Sequence, residues 1–402
     1  MLNKKFKIST NPIFIGFSAW LFSFFFYSPR FILFLGLNSG TTRRDNLLLQ
    51  CLDPFTRNLF GEEKTQLYSR LVQPSIANFL GWCGERRDIL AILGSPGIAY
   101  IALILSLSFF YLAISKRFTN GIALSSTFAI STTMLTQWTN THWGHPDSLS
   151  FLPISIILCF RKWWIIMPFT IIGCLNDERF ILSIPFLLLW WWPAYLKSFK
   201  DISLKLSKIL FYFLIGIIIF ILIRFALTIG LIGPGIEGEN STLKYLIFDV
   251  GLSTFLNPDR WIGFLFVVFL SYRWLWLLPL ISIIIMFRKG ISFRFVFFIV
   301  SIISTIIASS INADVSRTLA FAFPIIPFSI SVIYENIGWK SNRIIKLINL
   351  LTFLNIVTPA AKVYNLPKDW FSRNPLEWSS PALPLPINLW RWFTSPNGLI
   401  TW

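Results

Sequence analysis

The sequence predicts an all-α, polytopic integral membrane protein with about eleven transmembrane helices and a long first external loop. Three observations carry this. Of 402 residues, 55% are hydrophobic and 13% are charged. A soluble domain carries about 25% charged residues, so these charges are too few to clothe a water-facing surface. Apolar runs of about 18 or more residues, the length that crosses a bilayer, recur from end to end. The basic residues gather in short loops between those runs, which is how cytoplasmic loops are marked.

Taken in order, Lys4, Lys5 and Lys7 precede an apolar run at 13–37. The run resembles that of a signal peptide but lacks a small-residue cleavage site, so it reads as the first membrane helix. Further segments fall at about 89–115, 118–138, 148–160, 163–176, 180–196, 209–233, 261–286, 292–312, 317–337 and 347–360. Segments 148–160 and 163–176 are shorter than a full span. They read as a tight pair that reaches only part way and lines a water-filled cavity. Residues 1–360 therefore form one transmembrane domain. Residues 361–402 interleave prolines with tryptophans and read as an external tail lying along the membrane surface.

Strict alternation of the segments puts the N-terminal lysines, Lys116–Arg117, Arg161–Lys162, Lys197–Lys208, Arg288–Lys289 and Lys340–Lys346 on one side, the cytoplasm. Apart from Asp201 and Glu335, the acidic residues then land on the opposite side or near it. Arg273 lies in the middle of 261–286, where a charge costs about 2.5–3.5 kcal/mol. The expectation is one helix with Arg273 facing an internal cavity. The formal net charge of +17 is explained by these loops. No basic stripe with interleaved stacking aromatics accompanies it, so nucleic acid is not an expected partner.

The first external loop, 38–88, holds Cys51 and Cys83, which could pair in an oxidising compartment. Its stretch Leu67–Gly81 is amphipathic enough to lie on the membrane surface. Cys159 and Cys174 complete the cysteines, and their spacing gives no metal framework.

Four polar clusters could carry chemistry. Arg43-Arg44-Asp45-Asn46 follows the first helix, with Asp53 the next acid. A carboxylate there could act as a general base, or the cluster could be a balanced, solvated loop. Thr141-His142-Trp143-Gly144-His145-Pro146-Asp147 contains both histidines of the chain. The spacing and number of its ligands suit a closed metal site poorly, so no metal cofactor is expected. The alternative is a polar turn with Pro146 at the first position of the next helix. Asn176-Asp177-Glu178-Arg179 joins two apolar segments, where such charges are costly unless salt-bridged or functional. Asn312-Ala-Asp314-Val-Ser316-Arg317 offers a planar guanidinium fork for a phosphate, or an Asp314–Arg317 pair fixing a helix start. All four clusters fall on one face, and such convergence marks a candidate active site.

This pattern resembles the GT-C superfamily of membrane glycosyltransferases, and within it the polyprenyl-phosphomannose-dependent mannosyltransferases. The resemblance rests on Asp45 after helix one, on Tyr68-Ser-Arg70-Leu-Val-Gln-Pro74, and on Gly144-His145-Pro146-Asp147-Ser-Leu. It rests also on the junctions at Asp177-Glu178-Arg179 and Asp314…Arg317. The motifs span roughly a tenth of the chain, and the overall plan spans most of it. Many members carry two acids together, or one residue apart, in the first loop, whereas here Asn46 follows Asp45 and the next acid is Asp53.

The resemblance implies an inverting transfer of a sugar, mannose being one candidate, from a polyprenyl-phosphate donor to a lipid or glycan acceptor on the non-cytoplasmic face. Asp45 or Asp53 would be the base. Tyr68, Arg70, His145, Asp147, Asp177, Glu178, Arg179, Arg273, Asp314 and Arg317 would bind substrate, with membrane lipids around them. The rival classes are a transporter or lipid flippase, which would also carry intramembrane charges such as Arg224 and Arg273, and a lipid-linked polysaccharide polymerase or ligase. Against transport, no paired pseudo-symmetry of the segments is evident.

Overall fold

The computed structural model describes residues 11–27, 51–52, 54, 71–83, 94, 97–141, 146–192, 199–232, 259–310, 315–337, 341–358, 360–361, 381–382 and 384–394. The architecture is all-helical. Among the described residues the only strand pairing is a two-residue antiparallel bridge, β1 (Ala360–Ala361) with β2 (Pro381–Ala382).

The helices run in order α1 (Pro12–Phe26), α2 (Val72–Phe79), α3 (Ile98–Ser115), α4 (Asn120–Ile130), α5 (Met134–Thr141), α6 (Ser148–Cys159) and α7 (Trp163–Asn176). A 3-10 turn at Glu178–Ser183 leads into α8 (Ile184–Trp191). Then come α9 (Phe199–Thr228), α10 (Asp259–Tyr272), a 3-10 turn at Arg273–Trp276, and α11 (Leu277–Arg288). The rest are α12 (Phe293–Ser310), α13 (Val315–Ala320), α14 (Ile325–Ile337), α15 (Ser341–Val357) and α16 (Leu385–Thr394).

Four stretches are long and apolar enough to cross a membrane: Ile98–Ser115, Ser207–Leu227, Phe264–Arg288 and Phe293–Ser310. The remaining apolar helices are shorter or interrupted. Helices α1, α6 and α7 have 15, 12 and 14 residues. Helix α9 begins at Phe199, so the lysines expected in a loop at 200–208 fall within its first turns.

The interruptions have local causes. Between α4 and α5, Ser131, Thr132 and Thr133 turn their hydroxyls back onto the carbonyls of Phe128, Ala129 and Ile130, a competition that loosens a helix. Between α13 and α14, Pro324 cannot donate to the preceding turn. At Arg273 the chain takes a left-handed φ of 50°, rare for a side chain with a Cβ. Its guanidinium is the reason. Nη2 donates to the Tyr27 hydroxyl at 2.8 Å and Nη1 to the Thr358 carbonyl at 3.2 Å. The guanidinium also lies over the Tyr27 ring. Arg273 is therefore fully packed between α1 and the end of α15 rather than facing an open cavity.

Helix α6 sits at the centre, packed on α3, α7, α5 and α8. Beneath its N-terminal half, Phe151 meets Phe321 at 4.9 Å and Phe323 at 6.1 Å between ring centroids, and Phe110 closes on Phe323 at 5.9 Å. This aromatic layer ties α3 and α6 to the turn that joins α13 and α14.

Two polar groups occupy opposite ends of α6. At its C-terminal end, Lys116 donates to the Cys159 carbonyl at 3.2 Å, and Arg117 stacks on Trp190 at 3.9 Å. Burial pushes the Arg117 guanidinium down to about 10, against the raising influence of Glu335, so it stays charged at neutral pH. Arg294 pairs with Glu335 at 3.6 Å at the same end. The other end carries the candidate site.

The Cys51–Cys83 disulfide lies at the candidate-site end, packed with Ala77 of α2, Ile98 and Ala102 of α3, and Leu149 of α6. Asn78 holds the loop there through a bond to the Cys51 carbonyl at 2.8 Å. Only α2 of the stretch Leu67–Gly81 is described as helix. It buries Gln73, Pro74 and Ala77 and leaves Phe79 exposed. In the tail, ten residues form α16, which touches α1 and exposes Trp390.

Candidate functional site

The site begins with the way α6 starts. Asp147 stands at its N-cap, where an aspartate normally accepts from the first backbone amides. Here it makes no capping bond. Its carboxylate is gripped instead by Arg317 of α13, through Nε to Oδ2 and through Nη2 to Oδ1 at 2.6 Å. Pro146 falls just before the cap rather than at the first helical position.

Asp177 divides its work. It caps the 3-10 turn by accepting from the Arg179 amide at 3.1 Å, and it binds the Arg179 fork through Nε at 2.7 Å and through Nη2. Gly173 makes this turn possible, because a Cβ there would sit 2.3 Å from the Phe180 ring.

The two pairs join. Arg179 Nη2 lies 3.7 Å from Asp147 Oδ1, and Arg317 Nη2 lies 3.7 Å from Asp177 Oδ2. Two carboxylates and two guanidiniums thus alternate in a closed, locally neutral quartet. Asp147 and Asp177 are fully buried, and Arg317 and Arg179 nearly so. Bidentate forks are the strongest form of such pairing, which is what burial of four charges requires. The guanidiniums rest on aromatic faces, Arg317 over Trp138 at 5.3 Å and Arg179 over Phe321 at 5.0 Å. Arg179 Nη1 also reaches Thr318 at 3.4 Å.

Four further polar atoms are buried without a hydrogen-bond partner among the described residues: Thr139 Oγ1, Asn140 Oδ1, Asn176 Oδ1 and Ser316 Oγ, the last two on residues next in sequence to Asp177 and Arg317. Asn176 uses its amide nitrogen on the Pro146 carbonyl and on Ser150, both at 2.8 Å, which locks α7 to α6 and leaves Oδ1 over. Such orphans are rare in folded proteins.

Of the residues singled out in sequence, Asp147, Asp177, Arg179 and Arg317 are brought together. Glu178 is not part of the quartet. It is half-exposed and faces Arg224 of α9 at 3.7 Å. Arg273 serves Tyr27 and Thr358 instead, through contacts it does not share with the quartet. Asp45, Asp53, Tyr68, Arg70, His142, His145 and Asp314 lie outside the described residues. Among the described residues no group of three or more side chains is placed to hold a metal. The Arg317 fork, read as able to take a phosphate or to pair with Asp314, is engaged by Asp147. Sequence reasoning missed Trp138 and Thr318 as contacts of the quartet. The buried Thr-Gln-Trp-Thr-Asn run at 136–140 in an apolar chain was the available signal.

No protein-family model matches the chain, and neither does any curated protein or solved structure.

Proposed function

We propose that this chain is an integral-membrane glycosyltransferase that takes a sugar from a polyprenyl-phosphate donor on the non-cytoplasmic face, with inversion. The observation that carries the reading is the buried Asp147–Arg317–Asp177–Arg179 quartet, with Asn176 Oδ1 and Ser316 Oγ left unsatisfied on the residues next to Asp177 and Arg317. A sugar presents many hydroxyls, which such buried charges and acceptors would bind.

Depth supports it. At 1.5 Å per residue, the 12 residues of α6 span about 18 Å and the 14 of α7 about 21 Å. The hydrocarbon core is about 30 Å thick. With the Arg161–Lys162 turn at one surface, the quartet is recessed roughly 10 Å below the other. A donor whose tail stays in the bilayer can bring its phosphate-linked sugar to that depth.

Orientation rests on two arguments. Basic residues collect at the far end of α6, and a disulfide at the quartet end belongs to an oxidising compartment. The full set of about eleven spans belongs to this proposal, with the short and interrupted helices counted as spans.

Both quartet carboxylates are already committed to guanidinium forks, so they position rather than abstract protons. The base is assigned to the first external loop, to Asp45 with Asp53 as the alternative. In the step, the acceptor hydroxyl gives its proton to that carboxylate and its oxygen bonds to the anomeric carbon. The bond from that carbon to the phosphate oxygen breaks on the opposite face, and polyprenyl phosphate leaves with the electron pair.

The test is purified protein in detergent with a panel of polyprenyl-phosphate sugars, reading released polyprenyl phosphate. A second reading, a lipid flippase or transporter, draws on the interruptions after α4, α10 and α13, since broken helices frame transport sites. Transport needs a sealed vesicle and transfer does not. Movement across vesicles with no transfer in detergent would select the second reading.

A further inference from the structure

At the basic end of the molecule, α7 and α9 touch closely and then part. Gly216 allows the contact, since a Cβ there would lie 2.8 Å from Thr170. Two turns closer to the start of α7, the helices bracket a cavity of about 780 Å³. Its walls include Arg161, Lys162 and Lys208, with Trp163, Trp164 and Tyr212 beside them. That volume suits a lipid headgroup or a drug-sized ligand.

We infer that this cavity binds the headgroup of an anionic glycerophospholipid. Among the described residues Lys162 and Lys208 line it beside Arg161, with no acidic side chain, which favours an occupant that carries negative charge. Lys208 and Tyr212 stand one helical turn apart on α9 and so face the same space. Trp163 meets Tyr212 at 6.3 Å, and Lys162 lies over the Trp164 ring at 5.5 Å, so the aromatics hold the cationic rim in place. Both tryptophans remain 54% exposed. Amphipathic rings of this kind settle at the headgroup level of a bilayer.

What adjoins the cavity identifies the occupant as a lipid rather than a soluble phosphate. From its edge, Leu210, Phe211, Leu214 and Ile218 run along α9 exposed, an apolar track for acyl chains. Basic clusters beside membrane helices draw anionic lipids in this way. The inference rests on the chain spanning a membrane, not on the sugar-transfer reading.

The experiment uses the full chain in nanodiscs of phosphatidylcholine, doped with phosphatidylglycerol. Native mass spectrometry reads the lipids kept after release, and thermal unfolding is followed in parallel. The expected result is selective retention of phosphatidylglycerol, weakened about a hundredfold in Arg161→Gln/Lys162→Gln/Lys208→Gln. Unfolding in pure phosphatidylcholine should not change. If the triple variant fails to fold, the single Lys208→Gln serves, with about a tenfold loss expected and with high salt erasing the preference in the parent. Equal retention of both lipids, or an undiminished preference in the variants, overturns the proposal. So does full displacement by inorganic phosphate, which would mark a soluble-anion site. Sugar transfer is read separately, so either idea can fail alone.

Discussion

Arg317 closes on Asp147 across 170 positions of sequence, with Nη2 donating to Oδ1 at 2.6 Å in a fully packed interior. The bond diverts the N-cap aspartate of α6 from capping its own helix and ties α13 to the centre of the bundle.

This relationship predicts a strong coupling. Removing one member of a buried ion pair costs about 3–5 kcal/mol, because the other charge is left uncompensated. Asp147→Asn and Arg317→Gln should each lower the unfolding temperature in detergent sharply. The double variant should fall well short of the sum of the two losses. Additive losses would mean that the quartet is not a unit.

Ser316 separates function from stability. Its hydroxyl is buried without a partner among the described residues, and deleting an unsatisfied group is nearly neutral for folding. Ser316→Ala should unfold within about 0.5 kcal/mol of the parent. If the hydroxyl meets the sugar, sugar transfer should fall roughly threefold to tenfold, the worth of one hydrogen bond. A loss of stability with unchanged transfer would remove Ser316 from the site.

How much of this was legible in sequence depended on the range of the interaction. Helix α7 was read to the residue, because Lys162 and Asp177 bound an apolar run on both sides. The break after Ile130 was missed, because Ser-Thr-Thr within an apolar run looks permissive until its hydroxyls bond back to the helix. The step at Arg273 was read as continuous helix, because its cause is Tyr27, 246 positions away. The clusters holding Asp147, Asp177 and Arg317 were placed on one face, and these side chains do meet, but the exchange of partners could not be read. Local spacing pairs Arg317 with Asp314, and only the fold brings Asp147 to its fork.

Sidedness makes its own prediction. The Cys51–Cys83 disulfide and the Lys116–Arg117 cluster sit at opposite ends of the bundle. A membrane-impermeant maleimide added from outside should label Asn58→Cys and spare Ser203→Cys. Reduction should cost about 3–4 kcal/mol, the entropy of releasing a loop of 32 residues. Labelling at 203 but not at 58 would invert the orientation and place the quartet on the cytoplasmic side.

The base is the last matter, and the quartet narrows it. Asp147 and Asp177 already accept from two forks, and Glu178 faces Arg224. If the chain transfers a sugar as proposed, its proton acceptor is to be sought in the first loop, where Asp45 is the first acid after α1 and Asp53 the next. General-base catalysis contributes about 10²–10⁴-fold. Asp45→Asn should lose transfer on that scale while keeping donor binding and unfolding temperature. Asp53→Asn should lose far less. The pH profile distinguishes a base from a residue that merely positions. The acidic limb of the transfer rate should vanish in the residual activity of the base variant and persist when only geometry is damaged. Near-normal transfer in Asp45→Asn with a large loss in Asp53→Asn moves the role to Asp53. Near-normal transfer in both leaves the glycosyltransferase reading without its base.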